Sequence, residues 1–151
     1  MPSPPRVLVL DGPNLNLLGV REPELYGSDS LADVETLCRQ TTARHGPEAY
    51  FLRSSHEGAL IDAVHSARSG AAGIVVDASG CTHTSIALRD ALAAVERPVV
   101  EVHITHVQRR EAYRRRPYVA EVADATIAGA GIHGYALALT HIAHLLEKSA
   151  R

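Results

Sequence analysis

Cysteine is scarce in this chain: Cys38 and Cys81 are the only two in 151 residues, and they lie far apart without metal-ligand or redox spacing. That argues against a zinc module or a disulfide-held scaffold and predicts two free thiols, buried or partly buried, in a reducing compartment. Long apolar runs are missing as well. None reaches the roughly 20 residues a membrane-spanning helix needs, and the opening Met1-Pro2-Ser3-Pro4-Pro5-Arg6 has prolines where a signal peptide has an apolar core. A disordered lead-in over residues 1–5 and a cytoplasmic protein are expected. Neither sign of charge is in large excess. With 15 Lys and Arg against 17 Asp and Glu the formal net charge is −2, which argues against general attraction to nucleic acid or anionic membranes. The loop from Gly12 to Gly19 after the first apolar run has neither Gly-x-x-x-x-Gly-Lys-Ser/Thr nor Gly-x-Gly-x-x-Gly, so no nucleotide site is expected there.

What is present suffices for one core. Hydrophobic residues make up 46% of the chain, and no linker divides it, so residues 6–148 read as a single domain. Val7-Leu8-Val9-Leu10, Ala49-Tyr50-Phe51-Leu52, Gly73-Ile74-Val75-Val76, Val99-Val100-Glu101-Val102 and Ala125-Thr126-Ile127-Ala128 read as five strands. Segments of helical period lie between them. Ser30 with Asp33 forms a capping box for the first, whose inner face carries Leu31, Val34, Cys38 and Thr41; His45-Gly46-Pro47 ends it. Leu60, Ala63, Val64 and Ala67 stripe the second helix and Leu88, Ala91, Leu92 and Val95 the third, with Thr82, Thr84 and Ser85 as its caps. The last helix runs from about Ile132 to Lys148. This alternation predicts an α/β fold: a flavodoxin-like, doubly wound parallel sheet of order 2-1-3-4-5, with its ligand beyond the carboxyl ends of the strands.

Three strand ends carry the polar residues a site would need. After the first come Asn14, then Arg21 and Tyr26 in a segment bracketed by Gly19 and Gly27, which reads as a lid with two hinges. After the third comes Asp77 to Ser85. At the end of the fourth, Glu101 and His103 are two apart and so face the same way. A phenol titrates near pH ~10, which makes its use as a base at pH 7 cost roughly 4 kcal/mol. An adjacent cation moves an acid down by about 1–3 units, so the Arg21/Tyr26 pairing reads as an activated tyrosinate base. Glu101 would hold the His103 imidazole in one tautomer and support its protonated form, making it a general acid. The run Arg109, Arg110, Arg114, Arg115 and Arg116 reads as a solvated helical face or as a local patch of positive charge. The His103/His106 and His141/His144 spacings lack a completing ligand, so no metal is expected.

The strings Gly-Pro-Asn-Leu-Asn-Leu-Leu-Gly, Arg-Glu-Pro-Glu-Leu-Tyr-Gly, His56-Glu57-Gly58-Ala59-Leu60-Ile61-Asp62, Thr82-His83-Thr84-Ser85, Glu101-Val102-His103-Ile104 and Gly131-Ile132-His133-Gly134-Tyr135 resemble type II 3-dehydroquinate dehydratase from about Arg6 to Leu146. The resemblance implies a hydro-lyase that converts 3-dehydroquinate to 3-dehydroshikimate in the shikimate pathway, by anti elimination through an enolate and without cofactor or metal. It assigns the C2 proton to Tyr26 with Arg21 beside it, the enolate to Asn14 through a water, and protonation of the departing hydroxyl to His103, oriented by Glu101. Ile104 and Thr105 match the positions that hold the substrate carboxylate, Thr105 in place of the usual serine. His83 and Arg114 match groups that bind ring hydroxyls, and Asp90 matches a residue presented from a neighbouring subunit. The implied assembly is a homododecamer of trimers.

The chain also departs from the family's pattern. Asp77 and Asp11 stand where asparagine is usual, Ser55 where asparagine is common and His133 where glutamine is common. Asp77 matters most, because the matching asparagine lies by the substrate carboxylate. Two unscreened charges about 4 Å apart at an effective dielectric near 20 repel by roughly 4 kcal/mol, about a thousandfold in affinity. Protonation of Asp77, or a partner such as His106 or His133, would remove that penalty. Two alternatives stay open: a same-fold dehydratase acting on a related cyclic ketone such as an amino-dehydroquinate, and a non-catalytic ligand-binding or assembly homologue.

Overall fold

Burial on both sides of the strands dictates the architecture. Val7 and Val9 project to one side of the first strand and Leu8 and Leu10 to the other, and none is more than 1% exposed, so the sheet must be covered on both faces. In the computed structural model, which describes residues 3–150, the strands are β1 (Arg6–Asp11), β2 (Glu48–Arg53), β3 (Gly73–Asp77), β4 (Val99–His103) and β5 (Ala125–Ala128). They pair in parallel in the order β2-β1-β3-β4-β5, as expected. The helices are α1 (Pro23–Tyr26), α2 (Leu31–His45), α3 (Glu57–Gly70), α4 (Ile86–Ala94) and α5 (His133–Ser149). Helices α2 and α5 bury Val34, Cys38, Tyr135, Leu139 and Ile142 against Val7, Val9, Val75, Val100 and Val102. On the opposite face, Leu60, Val64, Leu88 and Leu92 of α3 and α4 meet Leu8, Leu10, Ile74 and Val76.

The local signals act as the sequence suggests in most places. Ser30 accepts from the Asp33 N–H while the Asp33 carboxylate accepts from the Ser30 N–H, and Gly46 ends α2 at φ 98°. Cys38 is buried, Cys81 is partly buried, and both are free. Met1 and Pro2 of the expected lead-in lie outside the described residues. Residues 3–4 form no regular element, and the Pro5 carbonyl already accepts from the Glu48 N–H at 2.8 Å.

Two expectations need correction. Only Ser85 caps α4, accepting from the Leu88 N–H at 2.9 Å; the Thr82 hydroxyl instead donates to Glu101. The arginine run is not one helical face. It folds into two 3-10 turns, Val107–Arg109 and Ala112–Arg115, with Arg110 extended between them. Pro117 disfavours helix at the residue before it, and the Tyr118 N–H is drawn to the Thr82 carbonyl at 2.7 Å, so the chain returns across the end of the sheet.

Strand order reverses between β1 and β3, the point where such sheets bind ligands. Gly12 sits there. Its N–H donates to the Asp77 carbonyl at 2.8 Å, and a Cβ on it would lie 2.4 Å from the Ala78 carbonyl oxygen. Gly12→Ala should therefore force the two loops apart and destabilise the protein by about 1–3 kcal/mol, as overpacking typically does. Thermal denaturation reads this directly, and an unchanged melting temperature would show that the loops part freely.

Candidate active site

The strand ends bring three acidic or basic groups together: Asp11 closes β1, Asp77 closes β3 and His103 closes β4. Glu101 is fully buried, which a charge tolerates only with partners. It has them. The Thr82 hydroxyl donates to Oε2, the Thr126 hydroxyl donates to Oε1 at 3.1 Å, and His103 Nε2 lies 2.9 Å from Oε2. That N–H is not aimed along a hydrogen-bond direction, so the contact acts chiefly through charge. Burial opposes ionisation of Glu101, yet His103 and the two threonines hold its carboxyl below the usual range. Burial likewise pushes the imidazole down, but Glu101 and then Asp77 more than reverse this, and His103 ends above its ordinary value. The pair is therefore set up to keep a proton on the imidazole.

Facing it is Tyr26, at the end of α1. Arg110 donates to the Tyr26 hydroxyl at 2.7 Å and to the Thr105 hydroxyl at 3.2 Å. Arg21 lies differently from the sequence expectation: its guanidinium sits over the ring face, 4.5 Å from the centroid, with Nε 3.8 Å from Glu22. Tyr26, Ile104, Thr105 and Arg110 form a partition. Outside it, under the lid segment, is a cleft of about 510 Å³; inside is a chamber of about 30 Å³ bordered by Asp77, His83, His103 and Arg114. The His83 ring stacks on that of His103, with centroids 6.3 Å apart, and burial holds its pKa below the ordinary value. Arg114 also pairs with Glu111 at 2.9 Å.

Two of the expected residues stand apart. Asn14 is exposed and borders neither the cleft nor the chamber. Asp90 lies on the exposed side of α4, paired with Arg89 at 2.9 Å, and does not border its own chain's chamber. Asp77 is 4% exposed, and its hydrogen-bond partners are the Ser79 N–H at 3.0 Å and the Tyr135 hydroxyl at 3.4 Å rather than His106 or His133. Among the described residues no group of three His, Cys, Asp or Glu side chains is placed to hold a metal ion, and no helix is long and apolar enough to cross a membrane.

The family description Dehydroquinase class II matches residues 5–143. The chain belongs to the class II dehydroquinase family. It is 58% identical to 3-dehydroquinate dehydratase of Methylobacterium radiotolerans over 92% of this chain and 93% of that one. It is 50% identical to 3-dehydroquinate dehydratase 2 of Pseudomonas putida over 97% and 98%. The crystal structure of type II dehydroquinase from Butyrivibrio crossotus superposes with a TM-score of 0.88 at 37% identity, covering 91% of this chain and 96% of that one. That from Propionibacterium acnes gives 0.89 at 32% identity, covering 95% and 99%.

In this class II dehydroquinase the residue that sequence reasoning missed is Arg110. The one available signal was the arginine run, which does not distinguish the inward member from its exposed neighbours. Backbone strain marks the same region: Asn14 (φ 72°), Glu22 (φ 37°) and Ser79 (φ 54°) take left-handed conformations in the loops after β1 and β3, a cost of order 1–3 kcal/mol each that tends to collect at functional sites. Gly19 and Gly27, at φ 92° and 82°, bracket the segment that carries Arg21 and Tyr26.

Proposed function

We propose that the protein dehydrates 3-dehydroquinate to 3-dehydroshikimate by anti elimination through an enolate, as a step of the shikimate pathway. The observation that carries this reading is the pairing of a guanidinium-bound phenol, Tyr26, with a carboxylate-supported imidazole, His103, across one chamber. Tyr26 takes the C2 proton at its phenolic oxygen, which Arg110 holds while Arg21 lies over the ring. His103 gives its proton to the C1 hydroxyl, which leaves as water when the C1–O bond breaks. The resemblance gives Asn14 the enolate, through a water, although Asn14 borders neither the cleft nor the chamber as they stand. Thr105 and the Ile104 backbone take the substrate carboxylate, and His83 and Arg114 take the ring hydroxyls. A chamber of about 30 Å³ holds about two waters' worth of volume, so a six-membered ring enters only when the lid carrying Tyr26 moves.

The test is a direct assay following the ultraviolet absorbance of the conjugated product. A rise in absorbance on adding 3-dehydroquinate is expected. A ligand-induced thermal shift without turnover would instead favour a non-catalytic homologue. Asp77, bordering the chamber, favours a second reading in which an amino-substituted dehydroquinate is the better substrate; a higher kcat/KM for that compound would establish it. The working form is a homododecamer of trimers in the cytoplasm, with Asp90 reaching a neighbour's site. Light scattering should give the dodecameric mass, and a fully active monomer would refute both the assembly and the shared role of Asp90.

A further inference from the structure

Asp11 and Asp77 end adjacent strands in direct register, and both are almost wholly buried, at 1% and 4% exposure. Tyr135 of α5, with no exposed surface, places its hydroxyl 2.8 Å from Asp11 Oδ1 and 3.4 Å from Asp77 Oδ2. We infer that Asp11 and Asp77, bridged by the Tyr135 hydroxyl where the strand order reverses, form a proton-holding carboxyl pair that sets the charge of the chamber wall and thereby the affinity for a carboxylate-bearing substrate.

The donor count requires a proton. A hydroxyl has one hydrogen, so Tyr135 can donate to one carboxylate and satisfies the other only by accepting from it. Among the described residues the remaining donor to the pair is the Ser79 N–H on Asp77 Oδ1. The charged and titratable groups around the pair are Glu35 and Cys38 on α2, Arg53 on β2, Glu101 and His103 on β4, and Tyr135 itself. Of these only Arg53 and His103 bring positive charge, and each already faces its own carboxylate, Glu35 and Glu101. Two ionised carboxylates would thus be buried under-compensated.

The environment of each carboxyl points the same way as the geometry. Burial first, then the charge of Asp77, pushes Asp11 up to about 7; burial pushes Asp77 up to about 6 against His103, Ser79 and Tyr135. Both carboxyls bind protons more tightly folded than unfolded, so the pair's contribution to stability is fullest below about pH 4 and is lost as pH rises through 6 to 7. Asp77 is the member that borders the chamber beside His103 and Thr105, so a bound ligand meets the charge.

The inference rests on the proposed substrate only in its kinetic arm. Infrared difference spectra of the intact protein, labelled with carboxyl-¹³C aspartate, should show a protonated carboxyl band at about pH 6 that fades by about pH 8 and is absent from D11N/D77N. In steady-state kinetics, KM for 3-dehydroquinate should rise severalfold over the same interval in wild type. D77N should abolish the rise, and D11N should move it to lower pH. Tyr135→Phe, which keeps the packed ring and removes a hydrogen bond that favours the anions, should move it to higher pH and serves if the Asn variants fail to fold. No protonated band in wild type at about pH 6, or a KM profile unchanged in D77N, overturns the pair. Absence of any turnover of 3-dehydroquinate overturns the proposed function, while the infrared band still decides the pair.

Discussion

Replacing Tyr26 by Phe should lower kcat by at least about 10²–10⁴-fold, the range a positioned acid–base group contributes, while ligand affinity changes little. The ring packs partly buried against the core with the Arg21 and Arg110 guanidinium carbons 4.5 and 5.2 Å from its centroid, and all of that packing survives the substitution. Only the proton acceptor is lost. Single-turnover kinetics with calorimetric binding separates the two effects. A Phe variant that turns over at a rate close to wild type would remove Tyr26 as the base.

Arg110→Ala should be the next most damaging change. The guanidinium donates directly to the Tyr26 oxygen at 2.7 Å, and a hydrogen bond from a charged donor is worth about 1.5–3 kcal/mol, so its removal should cost roughly 10–150-fold in rate. Arg21→Ala should cost less, because its charge lies over the ring face and is shared with Glu22. Arg110→Lys should rescue only in part, since a flexible ammonium is not held, as the rigid guanidinium is, where one nitrogen donates to both Tyr26 and Thr105. If Arg21→Ala proves the more damaging, the activating cation is Arg21.

The contrast between those two arginines shows what a linear chain discloses. Arg21 and Tyr26 are close in sequence, so their association can be read from spacing, as can Glu101 with His103 on one strand and the capping box at Ser30. The parallel sheet follows from strand-helix alternation and from central apolar runs that need cover on both faces, and its order from the flavodoxin-like arrangement of five such strands. Arg110 is 84 residues from Tyr26, and Tyr135 is 124 from Asp11 and 58 from Asp77. Those contacts exist because chain segments return to the same end of the sheet, and no local period encodes them. Thr82 was misread for a related reason. Its position before a helix suits a cap, and its real partner is set by the register of β3 against β4, which aligns Val76 with Glu101.

Glu101 has a consequence for how such a protein can change over evolutionary time. Its carboxylate ties the loop after β3, through Thr82, to the outermost strand, through Thr126, so it fastens architecture as well as orienting an acid. A lineage that no longer needed turnover could discard the Tyr26 hydroxyl at little structural expense. Losing Glu101 alone would strand the buried Thr82 hydroxyl, free Thr126 from its partner and leave an imidazole poised for a charge that has gone. Decay of the activity should therefore begin at the lid and reach the sheet last, leaving the acidic side of the machinery as a relic inside an otherwise repurposed fold.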